Sequence, residues 1–389
     1  MLDWLIIGGG IHGVSLAFHL IQRQRIPHER IRILDPHDHL LARWESVTTN
    51  TGMDYLRSPE VHHLHNDPWA LRTFAQTRAG QPLADFIPLY HRPSLDLFNA
   101  FSASLIQRTH LDTLLITGRA QALTRCEEGW QVQTSDGDIT AHHVVLAIGA
   151  GEQPHWPEWG RTLQNSDAPI NHVFDPAFVR AALPDWENAV VIGGGITAAQ
   201  TALTMAVQQP GSVTLLMRHP IRISHFDSDP CWVTSICLAD FERETDYDHR
   251  RTIIKQARQR GSMPSDVAEE LTQAVEAGLL RLKFTEVTQA DGDDSAITLT
   301  LTSNEKLTAD RLILATGFDP IRPGGAWLDQ TIANEPLPVA ACSYPIVDET
   351  LCWSPGLYVM GPLAELEIGP VSRNVIGARL AVERIKQAV

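Results

Sequence analysis

Two short glycine clusters hold the residues of this chain best suited to chemistry. The first is Gly8-Gly9-Gly10-Ile11-His12-Gly13 and the second is Gly193-Gly194-Gly195-Ile196-Thr197-Ala198. Each follows an apolar run of strand length and opens a helical pattern: Trp4-Leu5-Ile6-Ile7 precedes the first, and Ala189-Val190-Val191-Ile192 the second. Strand, glycine turn and helix in that order make a phosphate cradle. Gly8 permits the tight turn, Gly10 lets the backbone approach a pyrophosphate, and Gly13 lets the helix pack close to the strand. The free N–H groups and the positive end of the helix then face the phosphates. In the second cluster Gly193 and Gly195 take the first two roles, and Ala198 stands at the third, a variant the pattern allows.

The strand after each cradle separates the two. Ile31-Arg32-Ile33-Leu34 ends in Asp35, about twenty residues past the last glycine, where a carboxylate accepts hydrogen bonds from an adenosine ribose. Val213-Thr214-Leu215-Leu216-Met217 ends instead in Arg218 and His219. A guanidinium there suits a 2′-phosphate and leans the second site toward NADPH. If Arg218 is only a solvated surface residue, NADH remains open.

The elements that position these residues repeat on a larger scale. In the first half, Trp130-Gln131-Val132-Gln133-Thr134 and an Asp136-Gly137 turn lead to Val144-Val145-Leu146-Ala147-Ile148-Gly149. In the second, Ile297-Thr298-Leu299-Thr300-Leu301 and a turn at Asn304 lead to Leu312-Ile313-Leu314-Ala315-Thr316-Gly317-Phe318. Alternation of this kind reads as small antiparallel meanders attached to parallel sheets. The fold expected is α/β, with two Rossmann-like doubly wound domains, and two matched units imply two nucleotides. A late apolar strand, Gly356 to Gly361, returns the chain to the first domain, and Ser372 to Gln387 reads as a closing helix with Ser372 as its N-cap. The first domain is therefore expected to be discontinuous, residues 1–165 and 325–389. Residues 166–324 form the second, with a helical excursion over 240–280.

Bulk properties narrow the function. A net charge of −15 disfavours a grip on nucleic-acid backbones. The apolar stretch Trp4 to Ile21 is interrupted by Gly and His and lacks a basic leader, so neither a signal peptide nor a membrane span is expected. Cys126, Cys231, Cys237, Cys342 and Cys352 are odd in number and contain no Cys-x-x-Cys, which points to a reducing, cytoplasmic setting with unpaired thiols. Pairing of Cys231 with Cys237, which lie close in sequence, is the alternative. The spacing of His62-His63-x-His65 fixes no ligand geometry, and no metal is expected.

Gly8-x-Gly10-x-x-Gly13, Gly193-x-Gly195-x-x-Ala198 and Asp310-Arg311-Leu312-Ile313-Leu314-Ala315-Thr316-Gly317-Phe318 together resemble the two-dinucleotide flavoproteins. More narrowly, they resemble the NADPH-dependent N-hydroxylating monooxygenases, the lysine and ornithine hydroxylases, whose second half ends in a similar Ala-Thr-Gly-aromatic stretch. The resemblance implies FAD in the first cradle, with Gly149 beside it, and NADPH in the second, with Thr316, Gly317 and Phe318 at the cofactors. Met53-Asp54-Tyr55-Leu56-Arg57-Ser58-Pro59, then Asn66-Asp67-Pro68, is similar to a family segment that lies along flavin and substrate. Here Arg57 replaces the family's lysine and Asn66 its arginine. Met53, Arg57 and the linker residue His172 are the candidates for a direct role, His172 in gating or cofactor contact.

The resemblance also implies a reaction. NADPH reduces the flavin, the reduced flavin captures dioxygen as a flavin hydroperoxide, and one oxygen passes to a small amine-bearing substrate. The alternatives are an NAD(P)H:acceptor flavin reductase without oxygen transfer, or a redox sensor that binds both nucleotides. Complete cofactor sites and the Met53 to Phe74 loop speak against the sensor. The oligomeric state is left open.

Overall fold

Apolar runs with no polar alternation become central parallel strands, because only burial on both faces accommodates them. In the computed structural model, which describes residues 1–164 and 166–388, the strand Leu2–Ile7 lies between Ile31–Asp35 and Gly137–Leu146 and is parallel to both. Trp4, Leu5 and Ile6 are at most 1% exposed. Leu115–Thr117 extends this sheet beyond Ile31–Asp35, and Leu357–Val359 extends it beyond Gly137–Leu146, again in parallel. Residues near the C-terminus thus complete a sheet that begins at residue 2.

The second sheet is parallel throughout, in the order Leu280–Phe284, Val213–Met217, Ala189–Ile192, Arg311–Leu314, Ile170–His172. Each unit has its meander, the first continuous with its parallel sheet and the second a separate three-stranded sheet. Ala120–Cys126, Gly129–Thr134 and Gly137–Leu146 form the first, and Val287–Gly292, Ile297–Leu301 and Lys306–Ala309 the second, with Asn304 at φ +63° in its turn.

Three helices, Ser235–Arg243, Tyr247–Ala257 and Ser265–Glu276, stand between Val213–Met217 and Leu280–Phe284. They do not form one body. Phe241 and Ile254 of the first two, with Trp232 just before them, bury in the core of the N-terminal unit, whereas Val267 and Leu271 of the third bury in the core of the second unit. The segment from about residue 224 to 258 is therefore a wall that leaves its own sheet and leans on the other.

Two local expectations are corrected. The closing helix is Val375–Ile385 with Asn374 at its N-cap, and Ser372 lies in the preceding 3-10 turn Pro370–Arg373. That turn folds onto the helix so closely that a side chain at Gly377 would meet the Val371 carbonyl at 2.3 Å. Cys231 and Cys237 are disulfide-bonded, with Cα atoms 5.3 Å apart, while Cys126, Cys342 and Cys352 are free. The 3-10 turn Pro230–Val233 reverses the chain into the helix that starts at Ser235, and this brings Cys237 back to Cys231.

Candidate active site

The first cradle forms where the parallel strands end. Gly8 sits at φ +116°, and a side chain there would meet the Ala147 carbonyl oxygen at 2.3 Å. At Gly13 a Cβ would lie 1.8 Å from the Gly8 carbonyl oxygen, so the helix packs on the turn with no room to spare. Gly10 differs, since a Cβ built there meets nothing within 4 Å. Gly8 and Gly13 are demanded by the protein's own packing, whereas Gly10 faces open space. Beside them is a cavity of about 260 Å³ lined by Gly8, Asp35, Gly118, Gly149, Gln153 and Trp327, among others. Asp35 Oδ2 accepts the Gly9 N–H at 2.6 Å, and Oδ1 accepts the His37 N–H at 3.0 Å and faces His37 Nδ1 at 2.7 Å. The carboxylate is thereby oriented on the rim of the cavity. Open cradle, oriented acid and adjoining cavity fit FAD.

His12 points away from this open face. Its Nε2 donates to the Ser372 carbonyl at 2.9 Å, and burial, partly opposed by that bond, pushes its pKa down to about 4. The neutral imidazole ties the cradle to the C-terminal segment, close to Gly361, whose Cβ would stand 3.6 Å from the ring. Ile11 and Met53 share a small apolar cluster with Trp44, Leu56, Phe98 and Val375. Arg43, next to Trp44, donates to the Phe174 carbonyl, and Phe174 stacks on Phe318 with ring centroids 4.4 Å apart. The helix Ala42–Thr51 therefore links the Met53 cluster to the Phe318 turn.

Arg57 is committed to the wall. Its guanidinium donates to the carbonyls of Ser224 at 2.8 Å, His225 at 3.2 Å and Phe226 at 2.8 Å, to the Ser262 hydroxyl at 2.8 Å, and to the Asp227 carboxylate. An ammonium group cannot satisfy so many acceptors in one plane.

His172 and Thr316 meet at the crossover between the units. Two connecting segments pair there: His155 N–H donates to the Gly317 carbonyl at 2.8 Å, and Asp319 N–H to the Gln153 carbonyl at 2.9 Å. His172 is fully buried, and its Nδ1 accepts the Phe174 N–H at 3.1 Å. Its proton is thus on Nε2, which donates to Thr316 Oγ1 at 3.1 Å, and the Thr316 hydroxyl donates onward to the His155 carbonyl. Burial pushes the pKa of His172 down to about 4, so the ring is neutral at neutral pH. Gly149 and Gly317 take φ +66° and +83° at the two ends of the crossover, with nothing within 4 Å of a built Cβ at either.

The second cradle is more covered than the first. A Cβ at Gly193 would meet the Ala315 carbonyl oxygen at 2.5 Å and the Ala198 Cβ at 2.8 Å. One at Gly195 would stand 3.4 Å from Gly261 Cα, and one at Gly194 2.6 Å from the His219 ring. Gly261 and His219 therefore roof the turn. Arg218 is exposed at the end of Val213–Met217, where the 2′-phosphate of NADPH is expected. Arg218→Ala should weaken NADPH binding by about 1.5–3 kcal/mol, tenfold or more, and leave NADH binding nearly unchanged. Titration of both nucleotides against wild type and variant checks this, and equal losses for the two would remove Arg218 from the site.

One buried network has no counterpart in the motifs. Glu365 is fully buried and is gripped by Arg251, Arg258 and Arg373, while Arg373 also donates to the Tyr344 hydroxyl at 3.0 Å. Arg251 and Arg258 belong to the wall, and Arg373 to the turn before the closing helix. The sequence signals only that the acid needs a cation, not which one. An acid inside the run Pro362-Leu363-Ala364-Glu365-Leu366-Glu367-Ile368 must bury with a cation, and the segment from Arg243 to Arg260 supplies several. Buried Arg92 and half-buried Asp266 make a further pair between the units, bidentate at 3.0 and 2.6 Å. Of the triplet His62, His63 and His65, two turn to local partners, His63 Nε2 to the Pro68 carbonyl and His65 Nδ1 to the Asp67 N–H.

Residues 2–368 match the pyridine nucleotide-disulphide oxidoreductase family, and the chain belongs to it. Within that family its two-dinucleotide-binding fold is similar to the cadaverine monooxygenase of desferrioxamine biosynthesis from Erwinia amylovora, with a TM-score of 0.74 and 14% identity over 100% of this chain and 95% of that one. It is also similar to the ornithine N-hydroxylase of Kutzneria sp. 744, with a TM-score of 0.75 and 16% identity over the whole of both chains. The ornithine hydroxylase of Pseudomonas aeruginosa gives 0.75 and 17%, over 100% of this chain and 98% of that one. No curated protein sequence matches the chain. Among the described residues, no helix is long and apolar enough to cross a membrane.

Proposed function

We propose that the protein is an FAD- and NADPH-dependent monooxygenase that N-hydroxylates a small amine. One observation carries the reading. The likeness to amine-hydroxylating enzymes spans nearly all of both chains at TM-scores of 0.74–0.75, against 0.60 for a bacillithiol disulfide reductase matched over the same length.

Bound FAD, reduced by NADPH, supplies the chemistry of oxygen activation. The chain's own residues supply the setting. Gly10 and Asp35 would hold the pyrophosphate and the ribose of FAD at the first cradle, and Arg218 would hold the 2′-phosphate of NADPH at the second. Ile11, Met53 and Val375 give an apolar surface that keeps water from the reacting end. Arg57 holds the Ser224–Asp227 strip in place beside the Met53 loop. The amine enters between the Met53 to Arg57 loop and the Phe318 turn, with His172 and Thr316 bracing the turn from behind.

The test is to supply the FAD-loaded protein with NADPH and air, add lysine, ornithine or cadaverine in turn, and measure hydroxylated amine against peroxide. Amine-dependent NADPH consumption coupled to a hydroxylamine product is expected. Full release of the reducing equivalents as peroxide with every amine would replace this reading with an acceptor reductase.

A further inference from the structure

We propose that Cys231 and Cys237 form a thiol–disulfide exchange site, reduced by small dithiols or dithiol proteins, whose state controls how firmly the wall grips the first unit. The two sulfurs are bonded, and both residues are only partly buried. Access of an external thiolate to the sulfurs is part of the proposal.

The pair brackets the residue that seats the wall. Trp232 is 8% exposed and lies 3.5 Å from the position a Cβ would take at Gly369. Phe241 reaches the same spot at 3.7 Å, and the two rings meet edge to face with centroids 5.6 Å apart. Gly369 adopts φ +85° between Glu365 and Arg373, in the segment that leads from Gly361 to the closing helix. On one side of the disulfide Arg57 clamps Ser224–Asp227, and on the other Arg250 donates to the Leu366 carbonyl at 2.7 Å and the Glu367 carboxylate at 2.8 Å. The bond thus stands midway along the wall.

A role in global stability is weakly rewarded. The bond closes a short loop, with a sequence separation of 6, and short loops restrict the unfolded chain least. Its effect falls on the orientation of Trp232 relative to the helix Ser235–Arg243. Cys237 lies in the first turn of that helix, whose positive end favours a departing thiolate. In the exchange, a thiolate of the dithiol attacks Cys231 Sγ, the S–S bond breaks, and Cys237 leaves as thiolate and takes up a proton. The second thiol of the reductant then attacks its own sulfur in the mixed disulfide, releasing Cys231 as a thiol. Two electrons pass to the protein pair, and the reductant ends as its own disulfide.

The test uses the full-length, FAD-loaded protein purified without reductant. It is treated with dithiothreitol under native conditions, alkylated, digested and weighed, and hydrogen exchange is followed over residues 230–243 and 361–373. Expected are alkylation of Cys231 and Cys237 only after reduction, and exchange faster by about tenfold in both segments. The Cys231→Ser/Cys237→Ser double variant should show the fast exchange with or without reductant. Three outcomes overturn the proposal: both thiols free even after treatment with a thiol oxidant, a bond that resists dithiothreitol until denaturant is added, or reduction that leaves exchange at 361–373 unchanged. None of these readouts depends on amine hydroxylation.

Discussion

Glu365→Gln should destabilise the protein by about 3–5 kcal/mol, because it leaves buried guanidinium groups without their counter-charge. Glu365 Oε2 accepts from Arg373 Nε at 2.8 Å and from Arg258 Nη2 at 2.5 Å, Oε1 accepts from Arg373 Nη2 at 3.0 Å, and Arg251 approaches the same oxygen. The side chains of Arg258, Arg373 and Arg251 keep 13%, 24% and 23% of their exposure, so little water is at hand to replace the carboxylate. Burial alone would push the Glu365 carboxyl up. The attraction of Arg258, Arg373 and Arg251 outweighs it and holds the pKa at about 2, against an ordinary 4.5.

The sign of the pH dependence follows. A carboxyl whose folded pKa is depressed contributes its full stability above its unfolded value and loses it as pH falls through the folded one. Glu365 therefore contributes fully above pH 4.5, and its contribution drains between 4.5 and about 2. His172 works in the same direction over a higher window. Its buried neutral ring is undisturbed above 6.5, and the stability it lends is lost as pH falls from there toward about 4. Wild type should accordingly weaken from pH 6.5 downward, and the Glu365→Gln variant should lack the lowest part of that decline. Urea titrations from pH 7 to pH 3, read by tryptophan fluorescence and by hydrogen exchange of residues 361–373, measure both effects. A variant within 1 kcal/mol of wild type at pH 7, well short of the loss expected for a broken buried pair, would show that the network is solvated in solution.

Gly10→Val should yield a folded protein that no longer retains FAD, with affinity reduced about 100-fold or more, some 2.7 kcal/mol. The prediction rests on a contrast among the glycines. A Cβ at Gly10 meets no protein atom within 4 Å, so the chain itself accepts the substitution. What it obstructs is the approach of a pyrophosphate to the turn. At Gly13 the Cβ would lie 1.8 Å from the Gly8 carbonyl oxygen, and Gly13→Val should fail at folding instead. Flavin absorbance per chain reports retention, and thermal melts of apo-protein separate the two variants. One FAD per chain in purified Gly10→Val would remove the first cradle from the flavin site.

Local signals legible in the sequence were those whose physical cause lies within a few residues. A strand, a glycine turn and a helix need only a short window to declare a cradle, and Asp35 follows from strand length. Both parallel sheets and both meanders could be read because period and turn residues are properties of neighbouring positions. The roles of single side chains were less accessible. Arg57 looks, in sequence, like a substitute for a substrate-facing lysine, yet its guanidinium is spent on carbonyls more than 160 positions away. His12 lies inside the cradle motif and turns its ring toward Ser372.

The two nucleotide units, their order and their glycine turns were thus readable from the chain alone. What tertiary structure settled is where the wall leans and which three arginines, from two separate segments, surround Glu365. The reason is the range of the forces concerned. Backbone geometry and hydrophobic period act between residues close in the chain, whereas a buried charge or a packed indole is satisfied by whatever the fold brings beside it. For Glu365 only Arg373 is near in the chain, while Arg251 and Arg258 lie more than 100 positions away, and no local pattern names them.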